Sequence, residues 1–148
     1  MLLLSDISMP QLRQLLVQRG LQLQLVPDDD DIPGSFWGAP EAGLIAGTVY
    51  ARVDTPVHSL LHEAAHLLVM PADRRASVHT DASDSLAEED AACYLQILLA
   101  GQLDGVGSDR LMLDMDAWGY TFRLGSARAW FELDAAEARQ YLDERDIA

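Results

Sequence analysis

Two periods of apolar spacing alternate along this chain, and the switches between them mark its elements. Ser8-Met9-Pro10 offers a cap and a proline for a first helical turn, and Gly20 offers a stop, so a helix is predicted over about 9–19. Leu21-Gln22-Leu23-Gln24-Leu25-Val26 alternates with period two, the pattern of a half-buried strand. The acidic run from Pro27 to Asp31 reads as a turn. Short strands are expected at 35–38 and 43–46, and a β-branched and aromatic one at 48–53. The period then changes to that of a helix. Asp54-Thr55-Pro56 opens it, apolar residues recur at Val57, Leu60, Leu61, Ala64, Ala65, Leu68 and Val69, and Pro71 ends it. Further helices are expected over about 84–101, 109–118 and 134–144. A small sheet followed by helices predicts an α+β chain of one domain over 1–148.

The middle of the Pro56 helix carries His62-Glu63-Ala64-Ala65-His66. Residues four apart share a helix face, so both imidazoles can hold one metal ion while Glu63 stands beside it as a base. Catalytic zinc takes three protein ligands and keeps a fourth position open, so a third donor must come from elsewhere. On the helix over 84–101, Glu88 falls in line with Ala91, Ala92, Leu95 and Leu99, the buried stripe. A carboxylate on an apolar face must be paired or metal-bound, which makes Glu88 the expected third ligand. Glu89, one position round, takes that role if the helix is rotated, and Asp90 points farther away. These acidic residues also suit a helix N-terminus, where they offset the macrodipole.

The order of strands, HExxH helix and a second helix of the form E-x-x-A-x-x-[FY]-x-x-x-L-L resembles the ImmA/IrrE-type zinc metallopeptidases, compact zincins. The pieces that carry the likeness are Ile32-Pro33-Gly34, Gly43-Leu44-Ile45, Leu61 to His66, and Glu88, Ala91, Tyr94, Leu98 and Leu99. The resemblance implies a zincin-like fold in which a small mixed sheet packs against the HExxH helix. It also implies Zn2+ held by His62, His66 and Glu88, with Glu63 as general base for hydrolysis of a peptide or protein substrate. In zincins the last strand borders the cleft and can hold an extended peptide, a role that falls here on 48–52. Two departures stand out. The family's Asn after the Ala of the second helix is Ala92 here, and its Met-Pro is Ala100-Gly101. Loss of an amide that orients a ligand histidine leaves a catalytically silent metal-binding or interaction domain as the alternative.

Composition narrows the partners. Ten Lys plus Arg against 24 Asp plus Glu leave a net charge of -14, which repels nucleic-acid backbones and anionic membranes. A single Cys excludes an intrachain disulfide and fits the cytoplasm. Met1-Leu2-Leu3-Leu4 lacks a basic flank and meets Asp6 at once, so neither a signal peptide nor a membrane span is expected. His58, one turn before His62, is read as a helix-start residue with its ring in solvent rather than a wall of the cleft. His79 is read as a loop histidine, and Cys93 as a buried structural thiol. The aromatic stretch 118–131 is assigned to the core in preference to a substrate surface, since a small domain needs its large rings inside.

Overall fold

The computed structural model describes residues 1–82 and 85–147. Its fold is α+β. Helix α1 (Met9–Val17) starts where Ser8 Oγ accepts a hydrogen bond from the Gln11 N–H, the cap expected of that sequence. Strands β1 (Gln22–Leu25), β2 (Gly43–Ile45) and β3 (Thr48–Ala51) then form a mixed sheet in the order β1-β3-β2. β1 runs parallel to β3 and β2 antiparallel, with Leu23 and Leu44 both opposite Val49. All three side chains are buried, so the alternation seen in β1 places one face of the sheet on the core.

Helix α2 (Val57–Val69) packs on β2 and β3 and is buried on most of its circumference. Pro56 stands at its N-cap and supplies no side-chain acceptor. Instead the Val57 N–H donates to the Leu2 carbonyl and the Leu4 N–H to the Thr55 carbonyl, so the start of the chain satisfies the opening turn of the helix. Helix α3 (Leu86–Ala100) lies against α2. Ala64, Ala65, Ala91 and Ala92 are fully buried, and small side chains on both helices let the backbones approach closely. Helices α4 (Gly107–Trp118) and α6 (Ala136–Glu144) pack on the other sides of α3, and α5 (Ala127–Leu133) on α4.

Two expectations change here. Residues 35–38 form no strand: only Ser35 bridges to Gly43, and Phe36 and Trp37 are 63% and 66% exposed. The loop lies so close to β2 that a Cβ on Gly43 would fall 2.0 Å from the Pro33 carbonyl oxygen, and one on Gly34 2.3 Å from that of Leu44. Glycine at these places lets the loop cross the strand and carry its aromatics toward α2. Second, β3 is the central strand, with β1 and β2 on its two sides, so 48–52 has no free edge for a peptide. The outer side of β2 is also engaged, by the Ala46 N–H to the Val78 carbonyl and the Thr80 N–H to the Leu44 carbonyl, each 2.8 Å. Residues 127–133, to which the sequence assigned no element, form a helix of their own, capped by Ser126 Oγ accepting from the Ala129 N–H. The expected start of the second helix at Asp84 lies outside the described residues; α3 is capped by Ser85.

Candidate metal centre

Being one turn apart on α2, His62 and His66 bring their Nε2 atoms to 3.2 Å, with ring planes almost perpendicular. The first turn of α3 faces them with Glu89. Its Oε1 lies 3.1 Å from His62 Nε2 and its Oε2 2.7 Å from His66 Nε2. Donor atoms of the three residues all fall within 4.8 Å of one another, a group able to hold a metal ion.

The carboxylate that meets the histidines is therefore Glu89 and not Glu88. Glu88 is the more buried of the two, at 12% against 45% side-chain exposure, as the apolar stripe required. Its charge is matched by Arg74, from the 3-10 helix Ala72–Ser77 that follows α2. Burial correctly demanded a partner for Glu88, but a guanidinium meets that demand as well as a metal does. Asp90 lies on the wall of the cavity beside the cluster.

A residue not anticipated from the sequence orients His62. Gln96, fully buried on α3, places Oε1 2.6 Å from His62 Nδ1 and donates from Nε2 to the His58 carbonyl at 3.2 Å. The bond to the carbonyl fixes which end of the amide faces the ring, so His62 carries its proton on Nδ1 and presents Nε2 to the cluster. One signal was available: Gln96 is a lone amide in the apolar run Leu95 to Leu99, and such a group must be hydrogen-bonded. His66 has no equivalent, its buried Nδ1 lacking a hydrogen-bond partner among the described residues.

Charge follows this geometry. Burial pushes the Glu89 carboxyl upward, but hydrogen bonds from His62 and His66 outweigh it and hold the group below its ordinary range. Burial likewise pushes His62 down, and Tyr120, Cys93 and Glu89 together raise it well above the usual imidazole value. Glu63 is raised, first by burial and then by Glu89 and Glu41, against the opposing pull of His62 and His66. A carboxylate made more basic in this way is better suited to accepting a proton near neutral pH.

Two cavities meet at the cluster. One of about 470 Å3 is bounded by His62, Glu63 and Glu89 and walled by rings from 118–122; the other, about 200 Å3, opens beside His66, Thr80 and Asp81. His58 borders the larger cavity and is only 1% exposed, so its ring is not in solvent. Its Nδ1 shares a hydrogen bond with the Tyr120 hydroxyl at 3.1 Å. Burial and the neighbouring His62 lower its pKa to about 4, which leaves the ring neutral, and burial pushes the Tyr120 phenol up to about 12. His79 is exposed and bonds to Thr80 Oγ1, away from the metal group. Cys93 is buried, as expected, with Sγ 3.8 Å from Glu89 Oε1. The stretch 118–131 divides: Trp118, Tyr120 and Phe122 line the cavity, while Trp130 is in the core. Arg123 pairs with Asp134, and Arg128 with Asp109 and Glu132.

No family model, no curated protein and no solved structure matches the chain. No helix among the described residues is long and apolar enough to cross a membrane.

Proposed function

We propose that the protein is a zincin-like, zinc-dependent metallopeptidase in which His62, His66 and Glu89 hold the metal and Glu63 is the general base. The observation that carries this reading is the convergence of two imidazole Nε2 atoms and one carboxylate from α2 and α3, with Glu63 on the wall of the same cavity. Tetrahedral zinc with ligands at about 2.0–2.1 Å separates its donor atoms by roughly 3.3 Å. The 3.2 Å between the two Nε2 atoms lies close to that value, and Glu89 reaches the pair with one oxygen on each ring, Oε1 at 3.1 Å from His62 and Oε2 at 2.7 Å from His66. A nitrogen-rich donor set with one carboxylate also suits zinc better than calcium or magnesium.

Bound zinc would supply Lewis acidity, lowering the pKa of a water it holds toward about 7 and polarising the scissile carbonyl. Glu63 accepts the proton of the attacking water and returns it to the leaving amine, and its raised pKa suits both steps. Gln96 keeps His62 in the tautomer that binds metal. It answers the departure noted in the sequence. Ala92 cannot supply the family's amide, and Gln96, one turn beyond it on the same helix, supplies an amide to His62 instead. The buried free thiol of Cys93 accords with a cytoplasmic setting.

A silent metal-binding or interaction domain is the competing reading, and a His66 Nδ1 without a partner among the described residues favours it. One substitution separates the two. Glu63→Gln should retain one zinc per chain while hydrolysis of a denatured-protein or mixed-peptide substrate falls by at least about 100-fold. Zinc is counted by elemental analysis and cleavage by mass spectrometry. Equal cleavage by parent and variant removes Glu63 from the reaction, and a zinc-loaded parent that cleaves nothing leaves the silent domain.

A further inference from the structure

The larger cavity has walls of a different character from the metal cluster it touches. Trp118, Tyr120 and Phe122 form one side, and Trp37 and Leu86 the rim. The rings are mutually ordered: Trp37 meets Trp118 edge-on at 5.5 Å, Trp118 meets Tyr120 at 5.4 Å, and Tyr120 stacks over Phe122 at 6.3 Å. Leu86 is 75% exposed at the first position of α3, and Trp37 is likewise turned outward. Exposed apolar side chains point to a ligand when they cluster around one hollow rather than lie scattered. Here they surround a hollow of about 470 Å3, well within the range of about 300–1,000 Å3 typical of small-ligand sites.

Resting on the peptidase reading, we infer that this cavity receives a bulky apolar side chain of the substrate, aromatic or large aliphatic, on one side of the scissile bond. Continuity with the cluster supports the assignment, because His62, Glu63 and Glu89 are themselves part of the wall. Anything filling the hollow therefore lies against the reacting atoms. Shape supports it too, since a phenyl or indole ring can stack or meet edge-on with rings already arranged in that way. Charge defines what is refused. Glu41 and Asp90 border the same space, and the Glu41 carboxylate is oriented by the Trp118 indole N–H at 2.9 Å. An acidic side chain would be repelled by both. Trp118, Phe122 and Leu86 are thereby specificity-determining positions.

The test uses zinc-loaded protein and four acetylated tripeptide amides, Ala-Xaa-Ala, with Xaa as Phe, Leu, Ala or Asp. Affinities are measured on Glu63→Gln by tryptophan fluorescence or NMR titration, and hydrolysis on the parent by mass spectrometry. The Phe and Leu peptides should bind at least about tenfold more tightly than the Ala peptide, with the Asp peptide weakest. Leu86→Trp, at an exposed position, should fill the hollow and remove the preference; Trp118→Ala should reduce it for Phe. Equal affinities across the series, or a preference untouched by Leu86→Trp, overturn the assignment. Selective binding without hydrolysis keeps the cavity and overturns the peptidase; hydrolysis without selectivity does the reverse.

Discussion

His62 and His66 leave one helix a turn apart and aim at one carboxylate, yet the far sides of their rings have opposite surroundings. Behind His62 stands Gln96, itself held by the His58 carbonyl, with the Tyr120 hydroxyl bonded to His58 alongside. Behind His66 lies a buried Nδ1 without a hydrogen-bond partner among the described residues. The first ring is held through Gln96 on α3; among the described residues the second is met at Nε2 by Glu89 and His62. A metal held by this group would thus be only as rigidly placed as the α2–α3 interface allows, with its supports concentrated on the side that opens into the larger cavity.

The largest effect should come from the carboxylate that both rings share. Glu89→Ala should weaken zinc binding by more than about 100-fold, beyond what loss of an outer partner causes, whereas Glu88→Ala should keep zinc and lower thermal stability by releasing Arg74. Competition with a chelating dye measures both. If Glu88→Ala loses the metal and Glu89→Ala does not, the assignment is reversed.

Next in size is the asymmetry itself. Gln96→Leu should cost about 10–100-fold in zinc affinity by freeing the His62 tautomer. Thr80→Ala, on the smaller cavity beside His66, should change it little. Similar losses in the two variants would show that the support is not one-sided.

The smallest effect concerns the pH response of the His62 side. In the metal-free native protein His58 stays neutral down to about 4, while the unfolded chain binds that proton near 6.5. Between these values the unfolded state holds more protons, so acidification reduces stability, by about 1–2 kcal/mol from pH 7 to pH 5. His58→Phe should flatten that part of the curve in urea unfolding. An unchanged slope would mean that other groups carry the acid sensitivity.

Much of this was legible before any coordinates. The helix boundaries around 57–69 follow from Pro56, the apolar stripe and Pro71, and β1 from strict alternation. Residues 35–38 misled because aromatic residues raise strand propensity wherever they occur, and propensity does not report whether a ladder partner is free. His58 misled differently: a histidine on the first turn of a helix is usually wet, but the segment carrying Tyr120, distant in sequence, returns to cover it.

Local geometry alone determined that His62 and His66 share a face with Glu63 beside them, because the four-residue repeat of a helix is independent of its surroundings. Which carboxylate completes the group was decided by tertiary structure. Neighbouring residues on a helix differ by about 100° in direction, so a modest rotation of α3 against α2 exchanges Glu88 for Glu89. That rotation is set by how the alanines of the two helices pack and by Arg74, which draws Glu88 away and leaves Glu89 facing the histidines.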